Sequence, residues 1–311
     1  MLSNLKYIAF FILFLLFQGC KTYQTFYSET VTNAQQPNPE NVLRLDLSGQ
    51  NLKVIPEGLS QLRNLKMINL SGNPNINVAL FFDAIAEPEV LEVLLLNDLA
   101  LQELPESIQK FTNLKQLSLN GNPQLSWPET LQKIAPLPIQ FLNLQYNKLH
   151  DLPQEISELQ SLKDLNLGNN NITHGSTFTH LATLPKLYSL WLSNNNLKEL
   201  SPEIGLLVQV NNLYLGHNHL SSLPSEMKTM KDVWVIQAEH NDFTSLPEVF
   251  IDMPSLFSVH LNNCKIDTIP DAFASKKYSM KGLLLDNNLL SNADKKRWEA
   301  ALSNFFLLSI K

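Results

Sequence analysis

The sequence predicts an α/β solenoid. About eleven rungs stack in one curved array, each giving one short parallel strand to a concave face, and a C-terminal helix caps the stack. Three observations carry this reading. Of 311 residues, about one in five is leucine and about one in ten asparagine, while only 10 are glycine. Apolar positions recur in a fixed pattern, L-x-x-L-x-L-x-x-N-x-L, from Val42 onward. The pattern then gives way to a stretch with helical spacing near the C-terminus. A unit of this size cannot bury its own apolar face, so repeated units share one core by stacking.

Composition excludes several classes. The hydrophobic fraction of 44% is too high for a disordered chain. Two cysteines, Cys20 and Cys264, make no disulfide framework. A net charge of −6 leaves no basic surplus for a phosphate backbone, so no nucleic-acid partner is expected.

Residues 1–19 read as a signal peptide. One charge, Lys6, precedes the apolar run from Tyr7 to Phe17, which meets Gln18, Gly19 and Cys20. As a helix this run is about 16 Å long, roughly half a bilayer core, too short to span it. The apolar run ending in a small residue and cysteine resembles the lipobox of bacterial lipoproteins, although Phe17 and Gln18 stand where leucine and a small residue are usual. That resemblance implies lipid on Cys20, anchorage to a membrane, and a place in the bacterial cell envelope (outer membrane, periplasmic or surface face). Ordinary secretion, with Cys20 incidental, is the alternative. Residues 20–41 are polar, carry Pro37 and Pro39, and have no period, which predicts a flexible tether.

The solenoid is expected over residues 42–291. Its rungs open at Val42, Leu65, Leu91, Leu114, Ile139, Leu162, Leu187, Val210, Val233, Leu256 and Met280, between 23 and 26 residues apart. Counting each opening residue as phase one, phases four and six point inward from the strand, and phases three, five and seven point to the other side. Asparagine holds phase nine at Asn73, Asn122, Asn147, Asn170, Asn195, Asn218, Asn241 and Asn288. There the strand turns away, and a side-chain amide, which both donates and accepts, can satisfy backbone groups that lack ladder partners. Gln50, Leu99 and Cys264 break the series, and Leu99, unable to hydrogen-bond, predicts a local irregularity.

Segments such as Leu162–Ile172 and Val210–Leu220, followed by half-repeats such as Leu104-Pro105 with Ile108 and Leu152-Pro153 with Ile156, resemble the leucine-rich-repeat family. The resemblance covers about 250 residues. It implies the horseshoe form of the solenoid, a binding rather than a catalytic role, and a structural part for Cys264 at a slot where the family also uses cysteine.

Rungs two, four and six are longer than 23 residues, and the segment 79–86 in rung two suggests a short convex helix. At the far end Ser291 and Asp294 fit a capping box, and Trp298, Ala301, Leu302 and Phe305 follow at helical spacing. Residues 292–311 are therefore the expected capping helix.

No phosphate-loop, dinucleotide, zinc-protease, nucleophile-elbow or paired-cysteine motif is present, and only about twenty residues follow the last rung, so no catalytic residue, appended catalytic domain or cofactor is expected. Candidate binding residues lie on the concave face: Phe141, Tyr146, Trp191, Tyr214, His217, Glu239, His240 and His260. Equal phases on adjacent rungs are about 4.8 Å apart, which sets Trp191 beside Tyr214 and His217 beside His240. Large amphipathic side chains where the core does not ask for them resemble interface anchors. A metal site from His217, His219, His240 and His260 lacks a completing cysteine pair or carboxylate set, so no metal is expected. The expected function is recognition of a protein or peptide. An architectural or adhesin-like element, a glycan binder, and an intracellular scaffold (should residues 1–20 not be a signal) are the rival readings.

Overall fold

The computed structural model describes residues 29–311, so residues 1–19, expected to be a signal peptide, and Cys20 lie outside the described residues. Among the described residues thirteen strands form one open sheet, all parallel and in chain order. They are β1 (Thr30–Val31), β2 (Arg44–Asp46), β3 (Met67–Asn69), β4 (Val93–Leu95), β5 (Gln116–Ser118), β6 (Phe141–Asn143), β7 (Asp164–Asn166), β8 (Ser189–Trp191), β9 (Asn212–Tyr214), β10 (Val235–Gln237), β11 (Ser258–His260), β12 (Gly282–Leu284) and β13 (Leu307–Ser309). Strands β2 to β12 occupy phases three to five of the eleven rungs. The register never slips: Leu142 pairs with Leu165, Leu165 with Leu190 and Leu190 with Leu213. These phase-four leucines, and Leu144, Leu167, Leu192 and Leu215 at phase six, are fully buried in one continuous core.

Opposite the sheet, rung length decides the helix type. Rungs of 23 residues cross the convex side on 3-10 turns, five residues long at Gln154–Glu158 and Ser225–Thr229 and three at Leu59–Gln61 of rung one. The three long rungs carry α-helices instead: α1 (Val78–Asp83), α2 (Trp127–Ile134) and α3 (Gly175–Leu181). An α-helix rises about 1.5 Å per residue against about 2.0 Å for a 3-10 helix, so the added residues are absorbed over a similar span. A fourth, α4 (Ala272–Ser275), lies in rung ten. Asn77 caps α1, its Oδ1 accepting from the Leu80 N–H at 3.0 Å.

The asparagine ladder stitches rung to rung. Asn170 Nδ2 donates to the Leu144 carbonyl of the preceding rung at 2.9 Å and to its own Leu167 carbonyl at 3.0 Å. Its Oδ1 accepts from the backbone N–H groups of Asn147 and Leu149. The same links recur from Asn73 to Asn288. Leu99 causes no irregularity, correcting the expectation. Strands β3, β4 and β5 keep their register, Leu99 is buried, and its N–H donates to Asn122 Oδ1. Asn73 and Asn122 still donate to the Leu70 and Leu96 carbonyls that an amide at position 99 would reach. Cys264 fills its slot buried, its thiol 3.6 Å from the Ala238 carbonyl and pushed up to about 11 by burial.

Residues 20–41 are not wholly a tether. From Thr30 the chain joins the sheet as β1, and Ala34 is buried in the core. The first rung would otherwise expose its stacking face, and these residues cover it. Two apparent oddities follow. Gln50, longer than asparagine, reaches the Thr32 carbonyl at 2.8 Å. Gly58, at φ 87°, lets the backbone of Ala34 approach so closely that a Cβ would sit 2.6 Å from its carbonyl oxygen.

The C-terminal segment also divides. Helix α5 runs Asn292–Ala301 with Ser291 Oγ accepting from the Asp294 N–H, and the chain then returns as β13 against β12. Trp298 and Leu302 are buried and Phe305 half-buried, but Ala301 is exposed. The cap is thus a helix plus a strand. The helix occupies the convex place of rung eleven, and only another strand can satisfy the edge of β12.

Candidate functional site on the concave face

The concave face is built by phases three, five, seven and eight. Phases three and five project from the strands, and phase eight sits where the chain leaves them. All eleven phase-eight residues are left-handed, with φ from 52° to 72°, among them Gly49, Asp98, Asn169, His217 and Asn263. Glycine, asparagine, aspartate and histidine tolerate this region best. Backbone geometry therefore helps to explain His217 and His240, which the sequence suggests only as interface anchors. Tyr146, at φ 55° and 56% exposed, is the residue that this rule does not explain.

The candidate residues separate into three groups. Trp191 and Tyr214, half-buried on β8 and β9, stack with centroids 4.7 Å apart and planes 5° from parallel. Phe141 on β6 is buried and meets Trp191 edge-on at 6.3 Å across the intervening rung. Exposed His217 and His240 stack at 4.2 Å and 12°, and Asn263 Nδ2 lies 3.3 Å from His240 Nε2. Planar side chains at one phase therefore stand as a ladder, turned face to face within the row. Glu239 and His260 form the third group. His260 is buried, and burial lowers its pKa to about 4, which keeps it neutral near pH 7. One Glu239 carboxylate oxygen is buried with no hydrogen-bond partner among the described residues. His219 instead pairs with Asp242 at 3.3 Å on the adjacent rung. Among the described residues no group of three or more histidine, cysteine or acidic side chains is arranged to hold a metal ion.

Two features escaped the sequence reading. Asp164 at phase three of β7 stands between Phe141 on β6 and Ser189 on β8 in register. Burial raises its carboxyl above the usual range, against the opposing effects of a Ser189 hydrogen bond and the neighbouring Lys163. At phase two, along the strand-entry rim, Trp234 stacks on Phe257 at 5.0 Å, and Phe257 meets Phe306 of the cap at 6.3 Å. Phase two, taken as a column, brings together Tyr188, Trp234 and Phe257.

Comparisons with known proteins agree with this geometry. The family model described as Leucine rich repeat matches residues 139–188, and a second of the same description matches residues 186–207. A leucine-rich-repeat protein of Leptospira interrogans superposes with a TM-score of 0.58 at 23% identity, over 90% of this chain and 100% of that one. TLR13 in its complex with ssRNA13 superposes with a TM-score of 0.63 at 22% identity, over 81% of this chain and 40% of that one. Tubulin-specific chaperone E of Xenopus laevis is 33% identical over 78 residues, 25% of this chain and only 15% of that relative.

Proposed function

The chain is a leucine-rich-repeat protein, and from that premise we propose that it is a non-catalytic recognition module whose concave face, over rungs five to ten, receives a protein or peptide. The observation that carries this reading is the Trp191–Tyr214 pair, half-buried and stacked at 4.7 Å on a sheet face whose core does not require it. Large rigid aromatics supply contact area with few rotors to freeze, which is why they anchor interfaces. A glycan reading is less favoured, because the two rings stack on each other and one face of each is already covered. Nucleic acid, the ligand of the TLR13 complex, suits a net charge of −6 poorly.

The module is held in the bacterial envelope by lipid on Cys20, with the sheet beginning ten residues later at Thr30. Replacing Cys20 with serine should release the protein from membranes, and unchanged membrane association would refute the anchor. The binding face is tested by the double variant Trp191→Ala, Tyr214→Ala. Its melting temperature should stay nearly unchanged while affinity for the partner falls by about 2–4 kcal/mol, the hot-spot scale. Normal folding with normal binding would move the site to the convex side.

A further inference from the structure

Charge on the concave face is distributed with a strong bias. Four phases on eleven rungs give forty-four positions, and Arg44 alone among them is lysine or arginine, although the chain holds 23 such residues. The same positions hold five carboxylates: Asp46, Asp98, Asp164, Glu239 and Asp286. From rung two to rung eleven no cation interrupts this face, and the lysines nearby, Lys66, Lys115, Lys163 and Lys281, lie at phase two on the rim. Two of them, Lys66 and Lys115, are tied to Glu92 there at 3.5 and 2.9 Å.

Within the aromatic patch this bias becomes local chemistry. Among the described residues Asp164 forms no salt bridge, in contrast to Asp83, Asp242 and Asp271 on other surfaces. Its carboxylate is half-buried between Phe141 and Ser189, one row from Trp191. We propose that the concave patch of rungs five to eight receives an arginine-bearing extended segment of a protein partner, with the guanidinium on Asp164 and the Phe141 and Trp191 rings as its walls. This rests on the concave-face reading above and names the partner's chemistry. A guanidinium matches a carboxylate through two parallel hydrogen bonds and is attracted to aromatic faces, and it is shed from water more readily than an ammonium. Burial penalises the Asp164 anion, and an arriving cation relieves that penalty. The negative face around it would steer a basic segment inward and repel nucleic acid.

The test is selection from a random-peptide display library on the full chain, repeated on Asp164→Asn and on Trp191→Ala. Peptides enriched on the native chain should carry arginine beside apolar residues, and the best should bind at least about tenfold more weakly to Asp164→Asn, whose melting temperature stays within about a degree of native. Replacing that arginine by glutamine should cost as much, and the two losses should not add, as expected for one contact. Enrichment of neutral or acidic peptides that depend on Trp191 and not on Asp164 overturns this proposal and leaves the concave site standing. Enriched peptides insensitive to both variants, or no enrichment, overturn both. Preferential capture of a single-stranded oligonucleotide in a parallel arm also overturns the proposal.

Discussion

Asn195→Leu isolates what the asparagine ladder contributes to stability. Asn195 is fully buried in a central rung, and Leu99 already occupies the equivalent slot in rung three with the register intact, so leucine fits there. The substitution removes donations from Nδ2 to the Leu167 and Leu192 carbonyls at 2.9 and 3.0 Å, and the acceptance from the Ile172 N–H at 2.9 Å. Each carbonyl keeps a second donor, from Asn170 and Asn218 respectively, so each loss costs about 1 kcal/mol. The Ile172 N–H, in a buried residue, loses the partner shown for it, which costs about 1–3 kcal/mol. Apolar burial of leucine offsets about 1.5–3 kcal/mol of this. A net loss of about 2 kcal/mol is expected. Urea unfolding followed by circular dichroism and by tryptophan fluorescence measures it, with coincident transitions as the check on two-state behaviour, because repeat arrays can lose cooperativity. A change below about 0.5 kcal/mol with an unchanged denaturant slope would refute the ladder's stabilising role.

Other perturbations probe the core, the ends and the buried histidine. Leu167→Ala, in a fully buried position, should cost about 2–5 kcal/mol through the cavity it leaves, and calorimetry should show the fall. Gly58→Ala forces a side chain into a left-handed position against Ala34; β1 should loosen and residues 29–35 become the first site cut in limited proteolysis, whereas native protection would mean that this contact is dispensable. His260 titrates near 4 when folded against about 6.5 when unfolded, so the unfolded state takes up its proton first as pH falls. Its contribution is intact above about pH 6.5 and is lost progressively towards pH 4, by at most about 3 kcal/mol, and His260→Gln should flatten that part of the stability profile. Ending the chain after Ser291 removes Trp298 and β13, and light scattering should report aggregation through the uncovered edge of β12.

The sequence by itself determined the rung. Period two in the strand and the recurrence of leucine at phases four and six dictate which side chains face inward, because one rung's apolar face has nowhere to go but the next rung. The inward phases, the asparagine slots and the convex helix of rung two follow from that local periodicity, whereas the helices of rungs four and six were legible only as extra length. Only the tertiary structure decided the rest. The ends were illegible because Thr30–Val31 and Leu307–Ser309 carry no repeat pattern; they are strands because neighbouring strands offer them unpaired backbone groups. Leu99 was misjudged because a lost hydrogen bond is read from one residue, whereas the links around it are shared by the amides of adjacent rungs. On the concave face, phases five and eight were legible as columns, but what each residue there does was not. Left-handed backbone accounts for much of phase eight, including the two stacked histidines. Burial of His260 and Phe141, and the half-burial of Asp164 between neighbouring rows, arise from how closely curved strands crowd their inner side chains, a distance that no single stretch of sequence encodes.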